Sequence, residues 1–131
     1  MRFLVDTHVW LWTLVAPEKL SAKARRVVAE PRSEGWLSPI SVWELQVLAQ
    51  RGRVRLDDDP RRWLKEALHH TPFHEAPLVH EVALRSREVA LPHDDPADRF
   101  LVATALVYDL TLITADADIL ASRACPVLAA T

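Results

Sequence analysis

The sequence predicts a three-layer α/β/α sandwich, with helices on both faces of a central parallel sheet of four to five strands. Strand-like segments alternate with helical ones along the chain, as parallel sheets joined by helical crossovers require. The strand segments are short unbroken apolar runs with no alternation of polar positions, the pattern of strands buried on both faces. The length of 131 residues, half of them hydrophobic, suits one compact domain over residues 1–131 and hardly two.

Residues 2–5 read as the first strand. Val9 to Val15, with Trp10 and Trp12, is apolar nearly all round and predicts a mostly buried helix, broken by Pro17. Ser21 caps a second helix running to about Glu30, before Pro31. Trp36, Leu37 and Ser38 follow Gly35 as a second strand. Ser41 to Gln50 is helical, and Gly52 stops it. Asp57, Asp58 and Asp59 cap a helix from about Arg61 to His70, with Pro60 at its first position. Leu78 to Val89 is a further helix. Asp95 and Pro96 open another, reaching about Tyr108. Thr111 to Thr114 is a third strand, a short helix follows Asp116, and Pro126 to Leu128 forms a strand at the sheet edge.

Several classes are disfavoured. The apolar content is too high for a disordered chain. The single cysteine, Cys125, rules out an internal disulfide framework and suits a reducing cytosol, where it is expected as a small buried hydrophobe. No apolar run reaches membrane-spanning length, and the N-terminus does not read as a signal peptide. The net charge of −2 does not by itself announce a nucleic-acid partner, although acids gathered in one pocket can mask a basic rim in the total.

The acids carry the functional signal. Ligands of open α/β sheets bind at the carboxyl ends of the strands. Asp6 ends the first strand, and Asp116 follows the third by two residues. Glu44 falls in the first turn of the helix after the second strand. Asp98 falls in the first turn of a helix whose N-terminus lies near the same edge. Each acid alone also fits a helix cap: Ser41 with Glu44 resembles a capping box, and Asp95 with Asp98 a similar start. Together they predict a crowded anionic rim. Two like charges about 4 Å apart repel by about 4 kcal/mol at an effective dielectric of about 20. Helix N-termini offset only part of this, so protonation or a cation must relieve the rest. Oxygen ligands without cysteine favour Mg²⁺ or Mn²⁺ over Zn²⁺.

The segments "LVDTHVWLW", "SVWEL", "DPADRFLVATAL" and "TLITAD", in this order, resemble the PIN-domain ribonucleases, and closely the VapC-like toxins of toxin–antitoxin pairs. The resemblance runs from Met1 to about Leu128. It implies a quartet of Asp6, Glu44, Asp98 and Asp116 that binds Mg²⁺ or Mn²⁺ and cleaves RNA, a homodimer, and inhibition by a cognate antitoxin. Three positions depart from the related pattern: Leu48 replaces a frequent lysine, Asp94 a basic residue and Ala97 an aromatic one. Positive charge near the groove is thereby lost twice.

The mechanism expected is metal-assisted hydrolysis of an RNA phosphodiester in the cytoplasm. Asp6, Asp98 and Asp116 would hold the ion, with Glu44 as ligand or as base for the attacking water. Thr7 and Thr114 flank the acids and could orient waters or ligands. Arg99 is the cation expected to touch phosphate or pair with an acid, whereas Arg51, Arg53 and Arg55 read by default as a solvated face. His69, His70, His74 and His80 have no familiar zinc spacing. An exposed Trp10 or Trp12 would suggest a partner surface. A non-catalytic RNA- or protein-binding scaffold is the main alternative. A phosphatase with Asp6 as nucleophile is weaker, because His8 stands where such enzymes place a second aspartate.

Overall fold

The structure, a computed structural model, describes residues 1–57 and 59–131. The strands are β1 (Arg2–Val5), β2 (Glu34–Leu37), β3 (His74–Glu75), β4 (Thr111–Thr114) and β5 (Val127–Ala129). They form one sheet in the order β3-β2-β1-β4-β5, parallel at every pairing. The helices are α1 (Thr7–Val15), α2 (Ala22–Ala29), α3 (Pro39–Gln50), α4 (Pro60–His70), α5 (His80–Ser86), α6 (Pro96–Tyr108) and α7 (Ala117–Ser122).

The period of two along each strand divides the core in two. Phe3, Val5 and Ile113 pack with Trp10, Leu45 and Leu64 from α1, α3 and α4. Leu4 and Leu112 pack on the opposite face with Leu101, Val102 and Ile119 from α6 and α7. Both faces are thus covered, as the unbroken apolar strands require, and the expected three-layer sandwich is the observed one. Strand order reverses between β1 and β4, and the crevice outside their carboxyl ends is the topological switch point where such sheets bind ligands.

Several boundaries differ from the sequence reading, each for a local reason. Helix α1 begins at Thr7, two residues early, because Asp6 caps it directly: Thr7 N–H donates to Asp6 Oδ1 at 2.6 Å. Helix α3 begins at Pro39 with Ser38 as its cap, so Ser38 is not in the strand and Ser41 lies inside the helix. Helix α5 ends at Ser86 because the carbonyls of Ser86, Arg87 and Val89 accept from the Arg99 guanidinium. Strand β3 was not anticipated; its two residues are exposed and carry no apolar run. Asp59 caps α4 by accepting from Arg62 N–H, as expected, while Asp58 lies outside the described residues. Gly35 in β2 is required sterically, since the Phe73 and Phe3 rings occupy the space a Cβ would fill. Cys125 is buried, and burial pushes its thiol up to about 11. Among the described residues no helix is long and apolar enough to cross a membrane.

Candidate active site

The carboxyl edge of the sheet opens into a cleft of about 440 Å³ lined by Asp6, Glu44, Asp98 and Asp116, which thus meet although they lie far apart along the chain. Asp6 is the innermost. It is buried directly beyond β1, where its N–H still extends the ladder by donating to Ile113 O at 3.0 Å. One carboxylate oxygen accepts from Thr7 N–H, and the other accepts from Thr114 Oγ1 at 2.6 Å. Burial raises its pKa more than these bonds lower it.

Glu44 lies in the second turn of α3, because the helix starts at Pro39. The capping-box alternative therefore falls: Ser38 provides the cap, and Glu44 faces the acids without serving the helix end. Its pKa is raised by burial and by repulsion from Asp6 and Asp95, against a hydrogen bond from Thr7 that favours the charged form. Asp98 does occupy the first turn of α6, where Asp95 caps by accepting from Asp98 N–H at 3.0 Å. Burial, then repulsion from Asp95, Asp6, Asp116 and Glu44, push the Asp98 carboxyl up to about 8. Asp116 caps α7 by accepting from Ile119 N–H, and its own N–H donates to Thr114 Oγ1.

Three residues expected at the substrate are placed otherwise. Thr7 and Thr114 are fully buried beneath the acids and do not line the cleft. Thr7 Oγ1 lies 3.0 Å from Ser41 Oγ. Both threonines act through carboxylates. Arg99 is also buried: its guanidinium donates to the carbonyls of Ser86, Arg87, Val89 and His93, with Asp94 3.8 Å away. It pairs with an acid, but Asp94 is outside the quartet, and no face remains for phosphate.

His93 was not singled out by the sequence. Its Nε2 lies 3.6 Å from both Asp98 Oδ2 and Asp118 Oδ2, and its Nδ1 accepts from Asp95 N–H at 3.2 Å. The signal that could have found it is its place five residues before Asp98, at the head of the stretch from His93 to Arg99, where the related pattern also begins with histidine; the Arg99 clamp on the loop sets its position. Ligand atoms of His93, Asp98 and Asp116 all lie within 4.8 Å of one another. With Nδ1 accepting a backbone N–H, a neutral His93 carries its proton on Nε2 and faces the acids as a donor. The ligand-like set is therefore chiefly carboxylate oxygen, and its crowding fits a hard divalent cation. Among the described residues His69, His70, His74 and His80 join no such group. Trp10 is buried and bonds Thr71 Oγ1, whereas the exposed tryptophan is Trp43.

Residues 3–124 match the family model of the PIN domain. The chain belongs to the PIN-domain family. It is 34% identical over 116 residues to "Ribonuclease VapC22" of Mycobacterium tuberculosis, a match spanning 86% of this chain and 85% of that one. Its fold resembles VapBC2 of Rickettsia felis, solved bound to a DNA fragment from the promoter. That pair has a TM-score of 0.69 and 12% identity over 98% of both chains. It also resembles VapBC-1 of nontypeable Haemophilus influenzae, with a TM-score of 0.67 and 16% identity over 98% of this chain and 97% of that one. In this PIN domain the acidic cleft lies at the switch point of the sheet, where the fold itself makes a crevice.

Proposed function

We propose that this PIN domain, a single domain over residues 1–131, is a cytoplasmic metal-dependent endoribonuclease. It acts as the toxin of a toxin–antitoxin pair and forms a homodimer. The observation that carries the reading is the meeting of Asp6, Glu44, Asp98 and Asp116 in one cleft. The VapC relative is named a ribonuclease, and solved structures of similar fold are toxin–antitoxin complexes, which supports RNA as substrate and an antitoxin as partner.

Asp6, Asp98 and Asp116 would hold Mg²⁺ or Mn²⁺. Such an ion, when bound, neutralises charge on the phosphate oxygens and lowers the pKa of a water. Asp6 is held rigidly for this role by its two hydrogen bonds. Glu44 stands free of any capping duty, and its raised pKa makes it a better base for the attacking water than an ordinary carboxylate. His93 faces Asp98 from the rim and keeps that carboxylate oriented. A non-catalytic scaffold would use Asp6 and Asp116 as helix caps, but would gain nothing from Glu44 and Asp98, which cap no helix and are repelled by the other acids.

RNA cleavage with Mn²⁺, comparing wild type with Asp6→Asn and Asp98→Asn, tests the reading. Loss of at least about 100-fold in both variants is expected, the scale of removing one major electrostatic contribution. Equal RNA loss from all three proteins would end it. Light scattering of the purified chain, alone and with the product of a neighbouring small reading frame, tests the homodimer and the antitoxin.

A further inference from the structure

The acidic cleft presents five carboxylates, those of the quartet and Asp95, to an incoming polyanion. Even a divalent cation leaves negative charge in excess there. Among the described residues lining the cleft, Arg53 is the one lysine or arginine. Arg53 also lines a neighbouring cleft of about 640 Å³, where Arg55 adds a second permanent cation, Gln46 and Gln50 add amides, and Asp57 is the one carboxylate among the described lining residues, against five in the acidic cleft. The two clefts share α3 as a wall and Arg53 as a ridge. The Arg53 side chain is exposed and makes no ion pair or hydrogen bond with any described residue.

The position of Arg53 is built by its backbone. Gly52 takes a left-handed conformation, φ 72°, beyond the end of α3. Gly52 N–H donates to Ala49 O at 3.1 Å, and Arg53 N–H donates to Leu48 O at 2.9 Å. These paired bonds form a Schellman turn, which fixes the chain just past the helix end. Leu48, one turn after Glu44 on the same helical face, also lines the acidic cleft. Leu48 brings no charge itself, but its carbonyl anchors the residue that does.

We infer that single-stranded RNA crosses from the acidic cleft over Arg53 into the cleft of Arg55, with Arg53 gripping a phosphate beside the one that is cut. This rests on the ribonuclease reading for its substrate. An unpaired guanidinium standing between two clefts can bind the phosphate of a strand that crosses it through two N–H groups at once.

Fluorescence anisotropy with a short labelled single-stranded RNA, in an Asp6→Asn background that does not cleave, tests the track. Arg53→Gln should weaken binding about tenfold at low salt. It should also reduce the slope of log K against log salt by about 0.7, the loss of one phosphate contact. Arg53→Lys should recover most of the affinity, Arg55→Gln should act in the same direction, and Arg26→Gln on α2 should change nothing. With Asp6 intact, Arg53→Gln should raise KM more than it lowers kcat. Binding and salt slope unchanged in Arg53→Gln would overturn the track while leaving cleavage by the wild type untouched. Arg53-dependent binding by a chain that never cleaves RNA would keep the track and remove the ribonuclease reading.

Discussion

Thr114 Oγ1 donates to Asp6 Oδ2 at 2.6 Å, and the same oxygen accepts Asp116 N–H at 3.0 Å. One buried hydroxyl thus ties the acid beyond β1 to the acid beyond β4, across the point where strand order reverses. The pairing is set by register, since Val5 lies beside Ile113 and the next residues along the chain are Asp6, just beyond β1, and Thr114, the last of β4.

Replacing that hydroxyl should loosen both acids. Thr114→Val leaves Asp116 N–H without its acceptor and one Asp6 oxygen without its donor. The expected cost is about 1–3 kcal/mol of stability, together with weaker Mn²⁺ binding. Thr114→Ser should restore both. Denaturant melts and titration calorimetry check this, and a valine variant that binds Mn²⁺ like wild type would refute it.

Glu44 gives the opposite prediction for stability. It caps nothing and is repelled by Asp6 and Asp95, so Glu44→Gln should leave the melting temperature unchanged or higher while cleavage falls by at least about tenfold. A clear drop in melting temperature would mean that Glu44 is structural.

Arg99→Lys should destabilise the fold by about 3 kcal/mol or more. A lysine cannot reach four carbonyls with one planar fork, and buried acceptors are left unpaired. Faster amide exchange in residues 86–93 should accompany the loss. An unaltered exchange pattern would show that the clamp does not hold this loop.

The pH dependence follows from Asp98. Its folded pKa of about 8 lies above the ordinary value of 3.8, so the metal-free folded chain holds this proton more tightly than the unfolded chain. The stability that this difference contributes is greatest below about 3.8 and is lost as pH rises through about 8. Metal ions compete with the same proton. Mn²⁺ should therefore raise the melting temperature more at about pH 8 than at about pH 6. Equal shifts at both would contradict the raised value.

The alternation of elements, the covered parallel sheet and the convergence of four acids on its carboxyl edge were all legible in the sequence. Apolar runs and helix breakers are local signals, and the order of elements constrains which edge each acid reaches. The start of α3, by contrast, came from the structure: the sequence reading began the helix at Ser41, whereas it begins at Pro39 with Ser38 as cap, although a proline after a serine is itself a local start signal. The same choice separated a capping Glu44 from one that faces the cleft.

The linear chain alone pointed to the fold class and to four acids on one edge, because burial pattern and the alternation of elements are written in residue type and spacing, whereas the strand order β3-β2-β1-β4-β5 came from the structure. Only the tertiary structure decided what surrounds the quartet. Arg99, next to Asp98, turned inward to a loop that needed its carbonyls satisfied. Arg53, nine residues from Glu44, was brought to the cleft by a turn, and His93 was placed against Asp98 by the clamped loop. Side-chain direction depends on which buried groups require partners, and that is settled only when the chain has closed on itself.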